Sequence, residues 1–160
     1  MIQEIPFRYE IVSDVDLLAS ADALLIKEAR LITDQSYAPY SNFHVAAAGL
    51  LMNGAIVRGT NQENASYPVS ICAERVLLSA AASLYPGIAL VSMAISYRNL
   101  KGSSNRPITP CGVCRQSLVE HQHHFHQSIR LLLTGQIGEI YIIEDAASLL
   151  PLGFTADDMK

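Results

Sequence analysis

The chain has 160 residues, half of them hydrophobic and only 16% charged, so it can bury a core of its own and reads as a single domain over residues 1–160. That charged share lies below the roughly 25% of average soluble domains, which leaves apolar surface and favours an oligomer. A net charge of −4 argues against a nucleic-acid partner held through its phosphates, and no apolar run approaches the roughly 18 residues of a membrane span.

Residues 1–16 alternate charge with apolar side chains rather than forming a signal peptide, so a cytoplasmic location with reduced thiols is expected. Helical spacing over residues 16–37 predicts one helix, with Leu17, Leu18, Ala21, Leu24, Leu25, Ala29 and Ile32 on a buried stripe. Apolar runs at 43–52 and 55–59 meet at Asn53-Gly54, a dipeptide suited to the positive φ angles of a tight turn, and predict an antiparallel hairpin. Residues 72–84, rich in Ala and Leu, predict a second helix ended by Pro86-Gly87, and residues 90–97 a strand. A polar loop over 100–109 leads to Pro110, which suits the first turn of a third helix reaching about residue 121. Two βα crossovers result. Residues 129–133 and 139–143 predict two more strands, and the five residues between them are too few for a parallel crossover, so neighbours must be antiparallel.

The three cysteines fall at Cys72 in C-A-E-R and at Cys111 and Cys114 in P-C-G-V-C-R, with Glu74 two residues beyond the first thiol. Three protein ligands leave the fourth position of a tetrahedral zinc open, as catalytic sites require. Both segments open helices, where free N–H groups and the positive dipole end favour thiolate. Three thiolates against one Zn²⁺ leave a net charge of −1, so a nearby cation would help, and Arg75 is expected to donate a hydrogen bond to a ligand sulfur. Arg115 reads equally well as a solvated surface charge.

Two readings from other classes stand beside catalysis. His44 or one of His121, His123, His124 and His126 could close a structural site, and Cys111 with Cys114 could form a redox pair. The histidine run could also hold a second metal, although a solvated helix end is the expected state.

The string C-x-E followed by P-C-x-x-C matches the signature of zinc deaminases that act on nucleobases. Together with Y-A-P-Y-S-N-F at 37–43, N-Q-E-N-A-S-Y at 61–67, P-C-G-V-C-R-Q at 110–116 and L-L-P-L-G-F near the end, the chain resembles the small zinc-dependent cytidine deaminases. That resemblance implies an α/β, three-layer α-β-α fold with a five-stranded mixed sheet whose last two strands are antiparallel, and a homotetramer with shared active sites. It implies that Cys72, Cys111 and Cys114 hold one Zn²⁺ and that Glu74 shuttles protons during deamination of cytidine or 2′-deoxycytidine in pyrimidine salvage. By the same likeness Phe43 packs on the substrate, the backbone at Ala73 meets the base, Asn61 and Glu63 bind the ribose, and Tyr67 and Phe154 reach a neighbouring subunit's site. A blasticidin-type deaminase shares the metal motif and cytosine chemistry. Ala46, where the family often has Gly, and Gly49, where it often has a large apolar residue, depart from the pattern.

Overall fold

The computed structural model describes residues 1–160. Its first helix is shorter than the spacing predicts: α1 (Ser20–Leu31) is preceded by a separate 3-10 turn at Val15–Leu17 and extended by another at Ile32–Gln35. The break falls at Leu18 and Ala19, both extended, with ψ 160° and 147°. Leu17, Ala21 and Leu24, expected on the buried stripe, face solvent, while Leu25, Ile26, Ala29 and Ile32 are buried.

Six strands, β1 (Glu10–Val12), β2 (Phe43–Leu51), β3 (Ile56–Thr60), β4 (Leu90–Asn99), β5 (Arg130–Thr134) and β6 (Ile140–Ile143), form one sheet in the order β1-β6-β5-β4-β2-β3. The sixth strand, against five expected, is β1, which pairs antiparallel with the edge of β6. Only three residues long and mostly exposed, it carries no apolar alternation to betray it. β4 and β5 are the parallel pair, β5 and β6 are antiparallel as the short loop requires, and β2 pairs antiparallel with both β3 and β4.

Two further helices, α2 (Ala73–Leu84) and α3 (Gly112–Phe125), cover the face opposite α1 and complete three layers. Strand alternation divides the core: Ala47, Leu131 and Leu133 join Leu77 and Leu118 under α2 and α3, while Ala48 and Leu132 join Leu25 and Ala29 under α1. In the β2–β3 hairpin only Gly54 takes the left-handed conformation, at φ 85°, and Asn53 instead accepts a hydrogen bond from the Ala55 N–H at 3.1 Å.

Gly59 on β3 is needed for a close approach of α2. A Cβ there would lie 2.4 Å from the Ala73 carbonyl oxygen and 2.5 Å from the Leu77 nitrogen, so α2 rests directly on the strand's backbone. At Gly49 the space that a larger side chain would need is filled by Leu77 and Leu90, whose methyl groups would come within 3.1 and 2.6 Å of a Cβ.

Candidate metal centre and substrate cavity

Cys72 and Cys111 are the N-caps of α2 and α3, and Cys114 lies one turn into α3. The crossovers from β3 to α2 and from β4 to α3 thus bring two helix N-termini together at one end of the sheet. The three sulfurs fall within 4.8 Å of one another, with Cys72 Sγ 3.8 Å from Cys111 Sγ and Cys111 Sγ 3.5 Å from Cys114 Sγ. A tetrahedral zinc with zinc–sulfur bonds of about 2.3 Å sets neighbouring sulfurs roughly 3.8 Å apart, whereas a disulfide needs about 2.05 Å. The donor set fits zinc, and all three cysteines are free thiols. No imidazole or carboxylate joins the cluster, so the structural reading with a fourth protein ligand finds no candidate here.

The local charges suit a cation. The Cys72 thiol is lowered to about 6, chiefly by the hydrogen bond from Cys114 and against the effect of burial, with help from Cys111 and the positive charge of Arg75. Cys114, fully buried, moves upward as the donor to Cys72 and through its own burial. Arg75 acts on Cys72 through its charge; its guanidinium makes no hydrogen bond to a sulfur, contrary to the sequence expectation, and it lines a separate groove between α2 and α3.

Beside the thiols opens a cavity of about 570 Å³. Phe43, Asn61, Glu63, Tyr67, Cys72, Ala73, Glu74 and Cys111 all line it, as do Val45, Ile108 and Thr109, which the sequence did not single out. Glu74 is only 5% exposed, and burial, the largest influence, together with the nearby Cys72 charge holds its carboxyl above the usual carboxylate range. Phe43 stacks on Tyr97, with ring centroids 4.7 Å apart, which fixes the aromatic wall. The segment bearing Glu63 and Tyr67 is closed by paired backbone hydrogen bonds between Gln62 and Ile71, both 2.9 Å, and this closure delivers the chain to Cys72.

Asn61 and Glu63 are already tied to their own chain. Asn61 accepts from the Val45 N–H at 2.8 Å and donates to the Phe43 carbonyl at 2.9 Å, leaving one donor and one acceptor site free. Glu63 accepts from the Tyr40 N–H at 2.9 Å and from the Ser41 N–H and hydroxyl. Burial acts upward on its carboxyl, but these hydrogen bonds and the His44 charge outweigh it and hold the group below its ordinary value. Phe154 stands outside this cavity, exposed, its carbonyl accepting from Gln116 Nε2 at 2.8 Å.

The histidine run does not gather into a metal site. His121 is half-buried rather than solvated, and its Nε2 accepts from the Leu90 N–H at 3.2 Å; His123 pairs with Asp157 at 3.1 Å. His44, on the α1-facing side of β2, lies off the cysteine cluster.

A model of the cytidine and deoxycytidylate deaminase zinc-binding region matches residues 19–125 of the chain. The fold, the three thiols and that match define a zinc-dependent deaminase, a hydrolase. A cytidine deaminase from Halalkalibacterium halodurans is 40% identical over 137 residues, covering 86% of this chain and 96% of the relative, and one from Sporosarcina psychrophila is 34% identical over 136 residues, covering 85% and 93%. The crystal structure of cytidine deaminase from Burkholderia pseudomallei superposes with a TM-score of 0.72 at 34% identity, covering 86% of this chain and all of that one. The chain belongs to the cytidine and deoxycytidylate deaminase family.

Proposed function

We propose that this enzyme hydrolyses the 4-amino group of cytidine and 2′-deoxycytidine, giving uridine or 2′-deoxyuridine and ammonia, in pyrimidine salvage. The observation that carries the reading is a buried carboxyl, Glu74, at the wall of a nucleoside-sized cavity whose adjacent thiols have tetrahedral spacing. Zinc, when bound by Cys72, Cys111 and Cys114, supplies the Lewis acidity that brings a water close to deprotonation near neutral pH. Glu74 accepts the proton of the attacking water and delivers it to N3 as the C4–O bond forms. The same carboxyl carries the second proton to the amine as the C4–N bond breaks, so water and cytidine balance against uridine and ammonia. Its raised proton affinity suits a group that must return what it takes.

A nucleoside is favoured over a nucleotide because the cavity wall includes two carboxylates, Glu63 and Glu74, and no Lys or Arg to receive a phosphate. Phe43 provides a stacking face, the Ala73 backbone meets the base, and Asn61 and Glu63 retain capacity for sugar hydroxyls. A cytoplasmic homotetramer belongs to the same reading, with Phe154 contributing to a neighbouring site; Tyr67, expected there too, lines its own chain's cavity instead. Phe154's exposure, away from its own cavity, supports that role. Steady-state assays on cytidine, 2′-deoxycytidine, free cytosine and dCMP test the proposal: either nucleoside should be turned over fastest. Faster turnover of cytosine or dCMP than of both nucleosides overturns the sugar assignments.

A further inference from the structure

Arg115 occupies the first turn of α3, one residue after the ligand Cys114. A cation there meets the positive end of the helix dipole, so a merely solvated arginine would gain nothing from the position. Its guanidinium instead engages acceptors through three nitrogens. Nε donates to the Pro110 carbonyl at 2.9 Å, one terminal nitrogen to the Leu149 carbonyl at 2.9 Å, and the other to Thr109 Oγ1 at 3.4 Å.

Those acceptors belong to two segments that are remote in sequence. Thr109 and Pro110 immediately precede Cys111, and Thr109 is also part of the cavity wall. Leu149 ends the 3-10 turn Ala146–Leu149, whose side chains Ala146 and Leu149 are part of the main core. Pro110 is buried, and its carbonyl would be costly to leave unpaired. The guanidinium therefore joins the peptide that orients the Cys111 Cα–Cβ bond to an anchor held by the core.

We propose that Arg115 is a positioning residue for the metal centre, holding the Thr109–Pro110 segment so that the Cys111 sulfur keeps its spacing to Cys72 and Cys114. The proposal rests on the zinc reading given above. A planar fork reaching three acceptors in different directions is a task for arginine; the point charge of lysine cannot reproduce it.

The test uses zinc-loaded enzyme carrying Arg115→Lys or Arg115→Gln, and measures zinc transfer to a chromogenic chelator together with the visible spectrum of the cobalt-substituted protein. Loss of a group that orients a metal ligand typically weakens metal binding by roughly 10–100-fold. Release should quicken by about tenfold or more in both variants, with altered cobalt bands and an unchanged far-ultraviolet circular dichroism spectrum. A lowered Tm with wild-type zinc release and wild-type cobalt bands would show a purely structural role and overturn the proposal. Should neither variant fold, Thr109→Val removes a single acceptor; a release rate raised a few-fold supports the clamp, and an unchanged rate refutes it. A wild-type chain that cannot be loaded with zinc defeats the metal reading and this inference with it, whereas loaded variants that behave as wild type defeat this inference alone.

Discussion

Gly59→Ala is expected to damage the metal centre from the far side of α2. The added Cβ would sit 2.4 Å from the Ala73 carbonyl oxygen and 2.5 Å from the Leu77 nitrogen, and both obstacles are backbone that no rotamer change can clear. Relief requires α2 to lift from β3 by roughly half an ångström or more, and overpacking of this kind costs about 1–3 kcal/mol. For a chain of this size about 1 kcal/mol corresponds to roughly 2–4 °C in Tm, so a fall of about 2–12 °C is expected. Because Cys72 caps that helix and Ala73 and Glu74 begin it, the lift displaces the Cys72 thiol and the Glu74 carboxyl relative to Cys111 and Cys114 on α3. Misplacement approaching an ångström at a reacting centre costs on the order of a hundredfold. Calorimetry on the zinc-loaded protein and turnover of cytidine measure the two effects separately. A variant with Tm within about 1 °C of wild type and unaltered turnover would refute the claim that helix and strand backbones are in contact there.

Glu74→Gln should retain stoichiometric zinc by metal analysis while turnover falls by at least about a hundredfold, the usual contribution of a general acid–base group; near-normal turnover would remove Glu74 from the mechanism. Stripping the metal with a chelator should abolish activity and lower Tm, and added Zn²⁺ should restore both, since metal binding to the folded site alone adds to stability. His121 has its proton affinity lowered, mainly by burial and then by His124, so the folded chain resists protonating it. Above the unfolded value of about 6.5 both states are neutral and nothing is lost; as pH falls below that value the unfolded state gains the proton and stability declines. His121→Gln should flatten this decline in denaturant titrations between about pH 7 and 5, and an unchanged slope would show that another group is responsible.

The metal centre was legible because its signals are local. Two short motifs supply all three thiols, and each stands at a predicted helix start, so the helix termini set their backbone before any tertiary contact forms. The antiparallel β5–β6 pair followed with equal directness from a loop of five residues. The first strand was missed because Glu10–Val12 is short and largely exposed, and it exists only because β6 offers an unpaired edge. His121 read as a solvated helix end until the Leu90 N–H appeared beside it from another element. Arg115 left its expectation evenly divided for the same reason: one of its acceptors, Leu149, lies 34 residues away.

By itself the sequence determined the three-thiol cluster, the carboxyl near it, the hairpins and the family, because spacing along a chain translates directly into positions on a helix or strand. Tertiary structure decided that no imidazole or carboxylate joins the three thiols, that Asn61 and Glu63 are partly engaged by their own chain, and that Arg75 acts on Cys72 through charge without a hydrogen bond to a sulfur. It also decided that Gly59 sets how closely α2 approaches the sheet. These outcomes depend on which surfaces meet across the fold, and packing between segments distant in sequence leaves no periodic trace in any one of them.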